Sequence, residues 1–365
     1  MTPDEKINLY RQARALAWAY QLDTFTEAAL KDTIIVIDDA IDLIASRFEA
    51  SVGMYNATML SKRLSEVELI SVALELALSD QLSTSSGMVG SLSTREWSQN
   101  LSVGGIATGV NLIALSPEQF KAFFMTNPPA ALPISGVVQN VWNDAVLSHV
   151  QGDIKKILQA GAVSGDDYNT IVNTLLLKTD QFKRNELVTI TRTFFQNANA
   201  QAFDMVMEKN QDVIEGKIWT NANDDRVCLL CLPLGERLFK KGEAHPPMPR
   251  HPRCRCLFRA KTVSYRSLGI DVDELDAVAQ PVVTRGYEKD GRWFIPAVGT
   301  GNNSPIRSVS FYKGGIREAF SSFTERQQQA MLGPARYVLY STGKLGLDDL
   351  IDLPSGRLRL LNEIK

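Results

Sequence analysis

All four cysteines of this 365-residue chain fall within 29 consecutive positions, as Cys228, Cys231, Cys254 and Cys256. Thiols used as ordinary core filler would be scattered, and a secreted disulfide scaffold would carry far more of them per residue. Clustering in a chain of this length points instead to a metal ion or to redox chemistry. The arrangement is Cys228-Leu-Leu-Cys231, an interval of 22 residues, then His251-Pro-Arg-Cys254-Arg-Cys256. A tetrahedral zinc ion takes four nitrogen or sulfur ligands, and a two-residue gap lets one tight turn present two thiolates to the same ion. The second half offers His251, Cys254 and Cys256 for two remaining places, so either four thiolates bind or His251 replaces one of them. Four protein ligands would close the shell against a reacting water, which makes the expected site structural. The plain alternative is free or transiently bonded thiols beside a histidine that merely lies on the surface.

Enzyme readings of the cluster find little support. A zinc deaminase needs H-x-E followed by P-C-x-x-C, and none of His149, His245 and His251 begins an H-x-E. A thioredoxin-like pair belongs at a helix start after a strand, whereas Cys228 follows a polar Asn-Asp-Asp-Arg turn and Leu232-Pro233 closes it. Neither a G-x-x-x-x-G-K-[ST] phosphate loop nor an H-E-x-x-H helix is present.

Charge is the cluster's second feature. From Cys228 to Lys261 there are eight basic and two acidic residues, a net of +6 in a chain whose total is −2. Arg250, Arg253, Arg255 and Arg259 are therefore candidates for contact with phosphates, each offering a forked donor set. The competing reading is a solvated face or salt bridges to the acidic helical part. No recognition helix carries these residues, which argues against base-specific readout. Trp219, just before the cysteine turn, and Trp293-Phe294 could stack on bases. Packing a small module with little core of its own against its neighbour is the better-supported use.

With 44% apolar and 22% charged residues the chain is compatible with folded globular domains rather than disorder. The expected class is mainly α, α+β overall: a helical region over 1–215, a small zinc-stapled β/loop module over 216–262, an irregular segment over 263–316 and a short helical C-terminus over 317–365. Apolar spacing predicts helices over 5–22 and 24–50. Residues 66–82 are apolar almost all round, which predicts burial on more than one side. Ser, Thr and Gly in 83–111 predict a flexible loop. Ser116-Pro117-Glu118-Gln119 and Thr324-Glu325-Arg326-Gln327 read as capping boxes. NPPAALP (127–133) should break the first of these helices, and Ser164-Gly165-Asp166-Asp167 should cap another. The stretch 180–213 should be the longest helix, with Leu187, Ile190, Phe194, Ala198, Ala202 and Met205 on one side. YEKDGRWFIP (287–296) predicts a hairpin turning at Asp290-Gly291, and Gly333-Pro334 should divide the last helix in two.

The run W-T-x-A-x-D-D-R-V-C-x-x-C-x-x-L-G (219–235), followed by P-P-x-P-x-H-P-x-C-R-C (246–256), resembles the signature of phage head morphogenesis proteins, the Mu F-like minor head proteins of tailed phages. The C-terminal residues Leu332-Gly333, Arg336, Gly343-Lys344-Leu345 and Gly356-Arg357-Leu358 are similar to the family's closing pattern. The motifs cover about a quarter of the chain, and 263–316 departs most from the family. The resemblance implies a minor head protein, not an enzyme, associated with the portal vertex and procapsid interior. Its implied partners are portal protein, major capsid and scaffold proteins and, non-specifically, double-stranded phage DNA. Some relatives carry fused enzymes, for which 263–316 is too short. The rival readings are a free cytosolic zinc-containing DNA-binding protein, or a thiol-dependent enzyme. The acidic, polar start MTPDEKINLY and the lack of an apolar run of about 18–20 residues predict no secretory signal and no membrane span. The expected locations are the host cytoplasm during assembly and the virion head interior near the portal.

Overall fold

The computed structural model describes residues 1–49, 57–102, 110–126, 152–164, 166, 168–269, 287–290, 292–296, 308–353 and 356–364. Helix α1 (Pro3–Glu49) is one continuous element where the spacing predicts two. It starts on a reciprocal cap, Thr2 N to Glu5 Oε2 at 2.8 Å and Glu5 N to Thr2 Oγ1 at 3.2 Å. Its first half is apolar on two sides because it is covered on two sides. Trp18 and Leu22 face the helices that follow, while Leu9, Ala13, Leu16 and Ala17 pack on Trp293, Ile295, Val309 and Phe311. Beyond Leu30 the buried positions narrow to one stripe, Ile37, Ile41 and Ile44.

Helix α2 (Ala57–Leu101) runs straight through the Ser/Thr/Gly stretch expected to be loop, so that expectation is corrected over 83–101. The small residues are there for close packing. Ser86, Ser93 and Thr94 are fully buried, and a Cβ on Gly90 would lie 1.9 Å from the Phe120 ring. Tertiary contact here overrides a weak local propensity. Helix α3 (Pro117–Thr126) lies in that groove, and its expected capping box is present, Ser116 N to Gln119 Oε1 at 2.8 Å and Gln119 N to Ser116 Oγ at 3.2 Å. The NPPAALP segment lies outside the described residues. Helix α4 (Lys155–Ser164) ends where the second cap was expected, and α5 (Tyr168–Phe182) follows. A π turn over Lys183–Leu187 joins α5 to α6 (Val188–Lys209). At 47 and 45 residues, α1 and α2 are longer than the 180–213 stretch expected to be the longest. On its expected apolar side Leu187, Ile190, Ala198 and Ala202 are buried, while Phe194 and Met205 are half-buried and Phe195 and Val206 are buried beside them. Three helices meet at Asn199, whose Oδ1 accepts from Trp18 Nε1 at 2.8 Å and from Trp97 Nε1 at 3.0 Å.

Strand β1 (Ile214–Thr220) is the centre of a three-stranded antiparallel sheet, flanked by β2 (Leu238–Lys240) and β3 (Leu257–Thr262). Arg11 of α1, fully buried, ties the sheet to the helices by donating to Asn100 O, Leu101 O and Thr262 Oγ1. The apolar core is continuous from α1, α2 and α6 into this sheet. A second sheet, β4 (Tyr287–Lys289), β5 (Arg292–Pro296) and β6 (Ser308–Tyr312), contains the expected hairpin, with Asp290 in the left-handed region at φ 52°. The chain then forms α7 (Gly315–Ser322), α8 (Glu325–Leu332) and α9 (Pro334–Ser341), with Gly333 at φ 77° dividing the last two. Thr324 and Gln327 make the expected capping box of α8, and Thr324→Ala should cost about 1 kcal/mol in a thermal melt. A short pair, β7 (Ile351–Asp352) with β8 (Arg357–Leu358), follows. The architecture is mainly α with small antiparallel sheets.

Candidate metal centre

The sheet brings the two cysteine-bearing segments together. β1 delivers the chain to the 221–235 loop, and the segment ahead of β3 returns it to the same end of the sheet. Asp224 starts the first loop by accepting from Arg226 N at 3.1 Å. The Cys228 turn is closed by Cys231 N and Leu232 N, which both donate to Cys228 O at 3.0 Å. Asn221 Nδ2 holds Cys231 O at 2.8 Å. In the second segment Cys254 N donates to His251 O at 3.2 Å.

All five expected donors converge. Cys228, Cys231 and His251 form one group with every ligand atom within 4.8 Å of the others, and Cys231, Cys254 and Cys256 form a second within the same limit. Cys231 belongs to both and is the hub. His251 Nε2 lies 3.0 Å from Cys228 Sγ and 3.3 Å from Cys231 Sγ. Its Nδ1 is 2.7 Å from Pro252 O, which makes Nδ1 a donor to the carbonyl and aims Nε2 at the thiols, the orientation in which metal-binding histidines are held. Cys231, Cys254 and Cys256 are buried and Cys228 is half-buried; none is in a disulfide. A cavity of about 30 Å³ is lined by Cys228, Cys231, His251 and Cys256.

The ionisation of these groups is mutually coupled. Adjacent thiols cannot all ionise, so they alternate. Hydrogen bonding from Cys231 draws Cys228 down to about 5, and Cys231 also holds Cys254 well below the ordinary thiol range. Donation to Cys228 and Cys254 keeps Cys231 itself protonated, with its value pushed up. The Cys228 thiolate raises His251 to about 11. A bound divalent ion would replace this alternation by holding each coordinating cysteine as thiolate and, where His251 coordinates, its imidazole neutral. The residues fit a metal ion.

Each of the four arginines expected at phosphates makes hydrogen bonds within the protein. Arg255 makes a two-pronged bond to Asp224 at 2.7 and 2.7 Å. Burial works to raise the Asp224 carboxyl, but Arg255 and Arg226 outweigh it and hold it low. Arg259 is buried on Glu236 and donates to Thr220 Oγ1 at 2.6 Å. Arg250 is buried and donates to Gly356 O. Arg253, at φ 58°, reaches the helical region, Nε to Thr189 Oγ1 at 2.6 Å and NH2 to Asn185 O at 2.7 Å. Arg250 and Arg259 are buried, Arg255 is half-buried and Arg253 is exposed, and the two ion pairs close within the module rather than onto the helices. Lys240 and Lys241 stay exposed. Asp224 and Glu236 are the ion-pair partners of Arg255 and Arg259, a pairing that a net charge does not reveal.

Trp219 is fully buried, edge-on to Phe258 at 5.2 Å, and Phe258 stacks on Phe203 of α6 at 6.1 Å. Trp293 is buried against α1. Arg317 of α7 grips the module from the far side, with Nε on Gly235 O at 2.9 Å, NH2 on Pro233 O and NH1 on Asp348 Oδ2 at 3.1 Å. The hydrogen bond from Arg317 holds the Asp348 carboxyl below its ordinary 3.8. A carboxylate depressed in the fold stabilises above its unfolded value and loses that contribution as pH falls through the folded one. Acidifying from about pH 5 to 2 should therefore loosen this clasp, and Asp348→Asn should flatten that part of the pH–stability curve. The pair is largely exposed, so the difference is a few tenths of a kcal/mol, roughly.

No helix among the described residues is long and apolar enough to cross a membrane. No family model, curated protein or solved structure matches the chain.

Proposed function

We propose that the chain is a minor head protein of a tailed phage, acting in head assembly at the portal vertex and procapsid interior, and that its cysteine module is held by one structural zinc ion. Zinc is the ion of choice because mixed thiolate and imidazole donors in a closed, four-coordinate shell suit it over harder cations. The observation that carries the reading is that the family-like motif acts as one structural unit. Trp219 seals the module onto α6, Asp224 locks Arg255, and Cys228, Cys231, His251, Cys254 and Cys256 form two adjoining donor groups that share Cys231. A buried, closed donor set suits scaffolding rather than turnover, which supports the non-enzymatic assignment. The arginines' internal bonds favour assembly over a free DNA-binding role. Any non-specific contact with double-stranded DNA would fall to exposed side chains such as Lys240 and Lys241.

The test is gradient sedimentation of lysate from producing cells, with mass spectrometry of each fraction. The expected result is that the chain travels with portal and capsid proteins in procapsids and mature heads. A chain confined to the soluble fraction would overturn the reading.

A further inference from the structure

The cysteine-bearing segments fold alike. Cys228 and Cys231 flank one turn, in which Cys231 N donates to Cys228 O at 3.0 Å, and His251 and Cys254 flank another, in which Cys254 N donates to His251 O at 3.2 Å. Each turn sets two donors three residues apart, the spacing at which one tight turn serves one ion. The second has the pattern of a type II turn, with Pro252 at its first corner and Arg253, at φ 58°, at its second. A left-handed arginine is unfavourable by itself, and the helical region holds it there. Arg253 N donates to Thr193 Oγ1 at 3.4 Å, Nε to Thr189 Oγ1 at 2.6 Å and NH2 to Asn185 O at 2.7 Å. Helix α6 and the π turn before it therefore fix the turn that carries His251 and Cys254.

Cys256 lies outside both turns, one residue ahead of β3. His251 spans the two turns: its Nε2 is 3.0 Å from Cys228 Sγ and 3.3 Å from Cys231 Sγ, and it also bonds Cys254 of its own turn. Contacts among Cys228, Cys231, His251 and Cys254 thus run both within and between the turns. Cys256 borders the cavity of about 30 Å³ and is buried beside Cys231 and Cys254, with which it hydrogen-bonds. That placement suits a thiol that supports two coordinating sulfurs as a weak S–H donor.

We propose that the ion is held by Cys228, Cys231, His251 and Cys254, three thiolates and one imidazole from two matching turns. Cys256 is a positioning residue that donates its S–H to the Cys231 and Cys254 thiolates without coordinating. The inference rests on the zinc part of the reading above and is independent of its minor-head part.

The test loads the full chain with cadmium(II) enriched in its NMR-active isotope and records couplings between the metal and cysteine β protons. Single variants of each cysteine assign the signals. The unaltered chain should show three coupled cysteines, Cys228, Cys231 and Cys254, and a metal shift characteristic of three sulfurs and one nitrogen. Cys256→Ala should leave those three couplings where they are and weaken metal binding by about tenfold, as losing a ligand's outer partner does. Cys256→Ser, which keeps a donor in place, should keep the couplings and bind more tightly than Cys256→Ala. Four coupled cysteines in the unaltered chain, or a coupling lost or displaced in either Cys256 variant, would overturn the proposal. A chain that takes up no cadmium would overturn the metal reading and this inference with it, whereas binding through other donors would overturn this inference alone.

Discussion

Cys231→Ser is expected to release the metal and open the whole 214–262 module. Cys231 is the one donor shared by both ligand groups, so serine removes a thiolate that no other side chain can replace at that point. It also alters the bonds that set the ionisation of Cys228 and Cys254. Binding energy of a structural zinc is largely folding energy, and in small peptides it reaches about 10–16 kcal/mol. Here the module also leans on α6 and α7, so the expected loss is smaller, at more than about 4 kcal/mol. The helices should stay folded while protease sites open between β1 and β3, and bound metal should disappear. Cys228→Ser should be milder. Cys228 sits at the half-buried rim of a set with five donors for four places, and the remaining thiols with His251 can still fill a tetrahedron.

Trp219→Ala should cost about 3–5 kcal/mol, the usual range for emptying a fully buried aromatic site. The cavity would open at the seam where Phe258 bridges Trp219 and Phe203 of α6, so denaturant melts followed at the module and at the helices should both shift. Trp219→Phe discriminates the cause. The indole nitrogen is buried with no hydrogen-bond partner, so phenylalanine keeps the edge-on contact and should cost clearly less than alanine. Equal losses for the two variants would mean that something other than aromatic packing holds the seam.

Much of this architecture is legible in the sequence because its signals are local. Ser116 and Thr324 announce their caps, Asp290-Gly291 its hairpin and Gly333-Pro334 its break, each through one or two residues acting on their own backbone. The candidate metal centre is legible for the same reason: the clustered cysteines and His251 name their own ligand types, and the five donors form two adjoining groups that share Cys231. What stayed hidden depends on partners far along the chain. Gly87 and Gly90 look like loop until Pro117 and Phe120 are laid against them. Arg253 looks like a free cation until Thr189 and Asn185 arrive from α6 and the π turn, more than 60 residues earlier. The 83–101 helix reads as loop, and the burial of Arg250 and Arg259 goes unseen, because composition records what a residue can do and not what covers it.

The most direct test of the metal-stapled module is elemental analysis of the purified full chain alongside native mass spectrometry and thiol alkylation. The account predicts one zinc per chain, slow alkylation of Cys231, Cys254 and Cys256, and rapid alkylation with proteolysis of 214–262 once a strong chelator is added. A chain with no bound metal, a chelator-insensitive module and thiols that alkylate at the same rate before and after chelation would contradict it.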